Sequence, residues 1–162
     1  MIIGDAGRGK STMAKRLSEK LNIPTYCTDD FYWAVKYSKA HDKKEALARI
    51  LAVYNTDKWV VEGTTQWLLT LGFDLSDTIV YLSYRNIFQQ WFTIIKRYIT
   101  TRGGQGNLKE TLWLLRHVFY KRYGLSYKKG KPTHLEVLEP YKDKVVMLSS
   151  FKEIDKFLCS IN

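Results

Sequence analysis

The sequence contains few of the residues that would build a disulfide framework or a metal finger. Its two cysteines, Cys27 and Cys159, lie far apart, and neither has the spacing of a metal-ligand or redox motif. Neither a disulfide scaffold nor a zinc site is therefore indicated. Proline is equally scarce, with three residues scattered along the chain, and no linker, repeat or low-complexity tract divides it. We expect one domain over residues 1–162, because this length at 45% hydrophobic content suffices for one substantial core.

Long hydrophobic runs are also absent. No stretch approaches the ~18 uninterrupted apolar residues that a membrane helix needs. At the start of the sequence, Met1, Ile2 and Ile3 run directly into glycine and charge, without the apolar segment of a secretory signal. We therefore expect a cytoplasmic protein with no membrane partner.

Negative charge is nearly missing from one segment of the chain. Between Arg85 and Lys131 the sequence has 11 basic residues and a single acidic one, Glu110. The rest of the chain is balanced, so this segment carries the whole net charge of +10. Such a segment attracts anions. Tyrosines such as Tyr120 and Tyr123 interleave with its cations, which makes nucleic acid a possible partner through base stacking and phosphate neutralisation.

Short β-rich runs alternate with helical patterns along the chain. Five mostly apolar runs are predicted as strands: Met1 to Ile3, Pro24 to Thr28, Trp59 to Glu62, Thr78 to Ser83 and Val145 to Leu148. Apolar residues at helical spacing predict helices over Lys10 to Leu21, Lys43 to Tyr54, about Arg85 to Thr101, Leu108 to Phe119 and Phe151 to Leu158. This alternation predicts an α/β fold with a parallel sheet, whose ligand crevice lies at the carboxyl ends of the strands.

A phosphate-binding loop follows the first predicted strand. The segment from Gly4 to Ser11 reads G-D-A-G-R-G-K-S and matches G-x-x-x-x-G-K-[ST] at every fixed position. Its glycines let backbone N–H groups turn around phosphate oxygens, and the following helix presents its positive end to the same anion. Lys10 is predicted to act on the β and γ phosphates of ATP, and the Ser11 hydroxyl to ligate Mg²⁺. The predicted nucleotide-binding residues here are Gly4, Asp5, Ala6, Gly7, Arg8, Gly9, Lys10, Ser11 and Thr12.

Carboxylates follow two further predicted strands. Asp29 and Asp30 follow the second strand, where an acid opposite the γ phosphate can accept a proton from an acceptor hydroxyl or hold metal-bound water. The alternative is that one of them caps the next helix. Glu62 ends the third strand, where P-loop proteins keep a metal-associated carboxylate, and we predict that it acts on Mg²⁺. Its alternative is an ordinary solvated acid.

Taken together, these motifs resemble the adenylate-kinase-like P-loop kinases, and most closely the branch named DNA topology modulation proteins. Besides the P-loop, the resemblance rests on D-D-F-Y-W from Asp29, W-V-V-E-G from Trp59, T-I-V-Y-L-S-Y-R from Thr78 and the closing V-V-M-L-S-S-F-K. The D-D-F-Y run is also similar to that of uridine and nicotinamide riboside kinases, in which the first acid is catalytic. This similarity favours Asp29 over Asp30.

The resemblance implies a P-loop NTPase fold with a five-stranded parallel sheet in the order 2-3-1-4-5, flanked by helices. It also implies a mobile arginine-bearing lid and a last strand-to-helix loop near adenine, which assigns Ser150 to the nucleotide site. The lid and basic segment would span about 97–131. Arg97, Arg102 and Arg116 are predicted to close over the transferring phosphates.

The sequence departs from the family pattern in two places. Glu62 stands where the closest branch often has aspartate, and the lid is a short glycine-rich loop between Gly103 and Gly106. The predicted function is an ATP-dependent phosphotransferase that acts on a small hydroxyl or phosphate acceptor, such as a nucleoside or nucleotide. The alternative is a nucleic-acid-binding protein with an ATP-binding switch.

Overall fold

A five-stranded sheet forms the centre of the molecule, and every neighbouring pair of its strands is parallel. The computed structural model describes residues 1–4, 7–35, 39–102, 108–123 and 132–161. In chain order the strands are β1 (Ile2–Gly4), β2 (Thr25–Cys27), β3 (Trp33–Val35), β4 (Lys39–Ala40), β5 (Val60–Gly63), β6 (Ile79–Leu82) and β7 (Val145–Leu148). Of these, β3 and β4 form a separate antiparallel pair.

The strand order in the sheet is β2-β5-β1-β6-β7. Because β3 and β4 belong to the separate pair, this order corresponds to 2-3-1-4-5 when only the strands of the sheet are counted. The predicted parallel sheet and its strand order are thus confirmed. The strand that leads into the P-loop is central, and its residue Ile2 pairs with Glu62 on one side and Val80 on the other.

The helices account for most of the remaining described residues. They are α1 (Lys10–Leu21), α2 (Thr28–Tyr32), α3 (Lys43–Tyr54), α4 (Gln66–Leu69), α5 (Ile87–Arg102), α6 (Leu108–Arg122), α7 (His134–Leu138) and α8 (Phe151–Ser160), with 3-10 helices at Thr70–Gly72 and Glu139–Lys144. The bounds predicted for α1 and α3 are confirmed, and those for α5 and α8 are confirmed within two residues. Among the described residues, no helix combines the length and apolar character that crossing a membrane requires.

Hydrophobic cores lie on both faces of the sheet, because neighbouring residues of a strand point to opposite faces. Ile3 of β1 belongs to one core together with Ile50 of α3. Ile2 belongs to the other, together with Met13 of α1 and Leu158 of α8. The sheet is therefore covered on both sides, as parallel sheets are, and the carboxyl ends of its strands meet at one edge.

Helices α5 and α6 pack against each other through a smaller cluster of Ile87, Ile94 and Val118. The apolar repeat that predicts α5 is only partly buried, because Phe88 and Phe92 are 72% and 68% exposed. Helix α5 thus buries one apolar stripe, with Ile87 and Ile94, and leaves a second stripe, with Phe88 and Phe92, exposed and open to a ligand or another surface. The open stripe begins at the edge of the sheet, beside the P-loop.

Candidate active site

The P-loop connects β1 to α1 through backbone conformations that favour glycine. Gly7 and Gly9 have φ angles of 78° and 85°, a left-handed conformation that costs glycine little. Helix α1 then begins at Lys10, so the first free N–H groups of the helix point back toward the loop. Asp5 and Ala6, which were also predicted to bind nucleotide, lie outside the described residues.

The cation of the motif is held against the start of the loop. Lys10 is 8% exposed, and its Nζ donates a hydrogen bond to the Gly4 carbonyl oxygen at 3.2 Å. The ammonium group therefore lies beside the N–H groups that would surround a phosphate, and its charge adds to theirs. Thr12, in the first turn of α1, is exposed.

Two oxygen ligands suited to a hard cation meet next to the loop. The Ser11 hydroxyl donates a hydrogen bond of 2.7 Å to Oε1 of Glu62, whose side chain is 4% exposed at the end of β5. Because the hydroxyl proton points to the carboxylate, the lone pairs of the Ser11 oxygen remain available to a cation. No group of three or more His, Cys, Asp and Glu residues that could hold a metal occurs in the described part of the chain. The pair fits Mg²⁺, which typically takes one or two protein ligands together with phosphate oxygens and water.

Cys27 lies beside Glu62, a neighbour that sequence reasoning missed. The two residues are in register on β2 and β5. Burial, followed by the negative charge of Glu62, raises the pKa of the Cys27 thiol to about 12, and a hydrogen bond with the Asp29 backbone opposes part of this rise. Cys27 is therefore protonated at neutral pH and is a poor nucleophile. Asp29 follows the end of β2, and Glu62 pairs with Cys27 at that end, so both residues lie at the same edge of the sheet.

The predicted acid pair lies in the first turn of α2. The N-cap of this helix is Cys27, and no side chain caps it, so neither aspartate occupies the N-cap position. Asp29 is half-buried and Asp30 is exposed. Asp29 thus faces the protein at the end of β2, whereas Asp30 faces solvent.

Aromatic side chains follow the acid pair directly. The rings of Tyr32 and Trp33 are in edge-to-face contact with centroids 4.6 Å apart, and the Trp67 ring lies 6.5 Å from that of Tyr32. The Lys43 ammonium lies 5.5 Å from the centroid of the Trp67 ring. The edge of the sheet next to Asp29 therefore carries flat apolar surfaces with a cation beside them.

On the other side of the P-loop, a cavity of about 550 Å³ lies between the carboxyl ends of β6 and β7 and helix α5. Its lining includes Arg8, Phe88, Phe92, Ser150 and Phe151. Ser150 also caps α8, since its hydroxyl accepts a hydrogen bond from the Glu153 N–H at 3.2 Å. The structure thus places Ser150 in the wall of a cavity that adjoins the P-loop.

The phenylalanines of this cavity were not predicted as site residues. In the sequence, Phe88 and Phe92 served only to mark a helix. The number of apolar residues in this helix was a signal for a second apolar surface, because Ile87 and Ile94 already form a separate, buried stripe of the same helix. A surface helix with more apolar residues than one buried stripe requires has apolar side chains left for another surface or a ligand.

Arg8 connects the P-loop to the cavity. Its guanidinium carbon lies 4.7 Å from the ring centroid of Tyr84 and 4.7 Å from that of Phe151, and the residue is only 2% exposed. The Tyr84 hydroxyl donates a hydrogen bond of 2.8 Å to the carbonyl oxygen of Gly7. The loop is thereby attached to the residues that follow β6 and β7.

The predicted lid arginines lie on the paired helices α5 and α6. Arg97 and Arg116 are both exposed, and the Arg116 guanidinium lies 5.1 Å from the centroid of the Tyr120 ring. No hydrogen bond or ion pair within the described ranges joins either arginine to the P-loop. Arg102 is the last residue of α5, but its side chain and the loop 103–107 lie outside the described residues, so the lid stays a prediction.

No protein-family model matches the chain, and no curated protein matches it in sequence. Several solved structures match it. An uncharacterized protein from Eubacterium ventriosum is 17% identical, with a TM-score of 0.56 over 98% of this chain and 96% of that one. A gluconokinase from Sinorhizobium meliloti is 12% identical, with a TM-score of 0.53 over 98% and 85%.

A shikimate kinase from Acinetobacter baumannii in complex with shikimate is 14% identical, with a TM-score of 0.52 over 97% of this chain and 88% of that one. At such identities the likeness establishes the fold. The chain has an α/β fold with a parallel sheet flanked by helices, and it shares this fold with the gluconokinase and the shikimate kinase. The comparisons contain no finding for the DNA topology modulation branch, and none for a nucleic-acid partner.

Proposed function

We propose that the protein is a small P-loop kinase, which transfers the γ-phosphoryl group of ATP to a hydroxyl or phosphate group of a small acceptor. The observation that carries this proposal is the hydrogen bond between Ser11 and Glu62. It joins the P-loop to a carboxylate at the strand edge where Asp29 also lies. A glycine-rich turn without this partner would suit phosphate binding alone.

The donor would lie along the P-loop. Its phosphates would accept hydrogen bonds from the loop N–H groups and receive the charge of Lys10. Ser11 would hold Mg²⁺ directly and Glu62 through water, and the ion would neutralise charge on the β and γ phosphates. The base would occupy the cavity beside Phe151, where aromatic faces suit stacking.

The acceptor would lie on the opposite side, between Asp29 and the aromatic surfaces of Trp33 and Trp67. Asp29 would accept the proton of the acceptor hydroxyl as that oxygen bonds to the γ phosphorus. The bond from the γ phosphorus to the bridging oxygen would break, and ADP would leave with the electron pair. Arg97, Arg102 and Arg116 are the cations proposed to neutralise the charge on the moving phosphoryl group.

The fold neighbours agree with this proposal, since two of them are named gluconokinase and shikimate kinase. Their names do not identify the acceptor of this chain. The acceptor can be found by measuring ADP release with Mg²⁺ and ATP in the presence of nucleosides, nucleotides, small hydroxy metabolites and oligonucleotides with a 5′ hydroxyl. We expect release that depends on one of the small acceptors.

Asp29→Asn tests the acceptor chemistry, because it keeps the size of the side chain and removes the proton acceptor. Phosphoryl transfer should fall by ~10² or more, whereas ATP affinity should change little, since the P-loop binds the donor. Asp30→Asn is the matched control and should retain most of the activity, because Asp30 is exposed. Wild-type transfer by both variants would contradict the proposed role of the acid pair. Salt-sensitive binding of polynucleotides without acceptor-dependent ADP release would favour the nucleic-acid alternative.

A further inference from the structure

The Arg8 cluster, defined here as Arg8, Tyr84 and Phe151, lies where the P-loop meets the cavity. The Arg8 guanidinium lies over both aromatic rings, 4.7 Å from each centroid. Guanidinium groups are planar and more weakly hydrated than ammonium groups, so they pack well against aromatic faces. At 2% exposure, Arg8 is an internal part of the protein and not a surface cation.

The cluster fixes the part of the loop that precedes α1. Arg8 stands between Gly7 and Gly9, which have no side chains with which to anchor the loop. Its own side chain and the Tyr84 hydroxyl, which donates a hydrogen bond to the Gly7 carbonyl oxygen at 2.8 Å, are two anchors of this segment. The orientation of the loop N–H groups depends on where these two anchors lie.

All three residues of the cluster line the cavity, and of the three Phe151 alone is largely exposed. This side chain is 58% exposed and lines the cavity together with Phe88 and Phe92. A flat ring bound there would contact Phe151, and Phe151 contacts Arg8. Because Arg8 is only 2% exposed, the Phe151 ring is the part of the cluster that a bound base would contact most.

We propose that Arg8 is a positioning residue that couples recognition of the donor base to the phosphate-binding loop. A base that packs on Phe151 holds the ring against Arg8, and Arg8 in turn holds the loop N–H groups in their phosphate-binding orientation. The inference rests on the proposed function, because it takes the cavity as the base site of the donor. Its consequence is that a whole nucleotide binds more tightly than the separate contributions of base and phosphates would give.

The test compares two ligands, Mg·ATP and Mg·tripolyphosphate, by titration calorimetry on the full chain. The measured quantity is the affinity for Mg·ATP divided by the affinity for Mg·tripolyphosphate, and this quotient is the ratio referred to below. Arg8→Met keeps the length of the side chain and removes the charged plane. It should weaken binding of both ligands and lower the ratio about tenfold, within the range that stacking of one base on an aromatic side chain covers.

Two further variants separate coupling from a merely structural role. Tyr84→Phe keeps the ring under Arg8 but removes the hydrogen bond to Gly7, so it should weaken both ligands by the same factor and leave the ratio unchanged. Phe151→Leu keeps an apolar side chain but removes the ring, so it should lower the ratio. In the Phe151→Leu background, Arg8→Met should no longer change the ratio. If Arg8→Met does not fold, Arg8→Lys, which keeps the charge and removes the plane, replaces it in the same comparison.

The outcomes distinguish this inference from the proposed function. If the wild type binds both ligands and neither Arg8→Met nor Phe151→Leu changes the ratio, the coupling is refuted and the proposed function stands. The coupling would also be refuted if Phe151→Leu lowered the ratio and Arg8→Met then lowered it further by the same factor as in the wild type. The two residues would in that case act independently. If the wild type binds neither ligand, the proposed function fails and the inference fails with it.

Discussion

Replacing Glu62 by glutamine should raise the Mg²⁺ requirement of the reaction without loosening the P-loop. The Glu62 carboxylate is 4% exposed and accepts a 2.7 Å hydrogen bond from Ser11. Glutamine retains an oxygen that can accept this bond, but it has no charge with which to attract the ion or its water. A hydrogen bond to a charged group contributes ~1.5–3 kcal/mol, and loss of an outer ligand costs about 10- to 100-fold in metal affinity. We therefore expect half-maximal turnover at roughly 10- to 100-fold more Mg²⁺.

The assay is ADP release as a function of Mg²⁺ at saturating acceptor, with ATP binding measured separately in the absence of Mg²⁺. Binding without the ion should change little, because Lys10 and the loop remain intact. Glu62→Asp is the control that keeps the charge, and it should shift the Mg²⁺ requirement less than the glutamine variant. An unchanged Mg²⁺ requirement in Glu62→Gln would refute the assignment of Glu62 to the ion.

Cys27 supplies a second readout that does not depend on activity. Part of the rise in its pKa to about 12 comes from the charge of Glu62, so Glu62→Gln should lower this pKa. Alkylation by iodoacetamide at a pH of about 9, near the ordinary pKa of a thiol, should be slow at Cys27 in the wild type and faster in the variant. The exposed Cys159 serves as an internal reference that should react equally in both.

Three further changes test other parts of the structure. Gly63→Ala should destabilise the protein by ~1–3 kcal/mol in urea unfolding, because the added methyl group would overlap the buried Thr28 side chain; Thr28→Ala in the same chain should recover part of the loss. Glu153 has its pKa lowered to about 2 by the Ser149 N–H and weaker partners. Ionised Glu153 therefore stabilises the folded protein above its ordinary pKa of 4.5, and this stabilisation is lost as the pH falls toward 2. The difference in the free energy of unfolding between wild type and Glu153→Gln should shrink over that interval. Arg97→Ala should lower turnover by ~10³ while ATP affinity changes little, and an unchanged turnover would make Arg97 an ordinary surface residue.

The central part of the fold was predictable because its signals are local. Apolar runs bounded by charge predict the strands, and fourfold apolar spacing gives the bounds of α1 and α3. The short elements α2 and β3 were missed. Five residues of α2 are too few for a helical repeat to show, and β3 is stabilised by pairing with β4, which depends on the path of the chain between them.

The residues of the candidate site likewise fall into those that a local motif predicts and those that only the folded sheet brings together. Lys10 and Ser11 belong to a contiguous motif with fixed spacing, so the sequence predicts them directly. The Arg8 cluster was missed because Tyr84 and Phe151 approach Arg8 only through the order of β1, β6 and β7. Likewise, the neighbourhood of Cys27 and Glu62 depends on the register between β2 and β5, which is a property of the folded sheet.

The central position of β1 has a consequence for how such a protein can change. Parallel strands lie ~4.8 Å apart, so the end of β2 and the end of β7 lie roughly 20 Å apart, with the P-loop midway between them. Under the proposed function, the acceptor residues come from one continuous stretch, 28–67, whereas the base cavity is lined by Arg8, helix α5 and the loops that follow β6 and β7. Acceptor choice can therefore diverge in evolution by altering this one segment, provided that Glu62, which lies within it and accepts a hydrogen bond from Ser11 of the P-loop, is kept. A chimera that carries 28–67 from another kinase of this fold would take on the acceptor of the segment's source and keep the donor of its host.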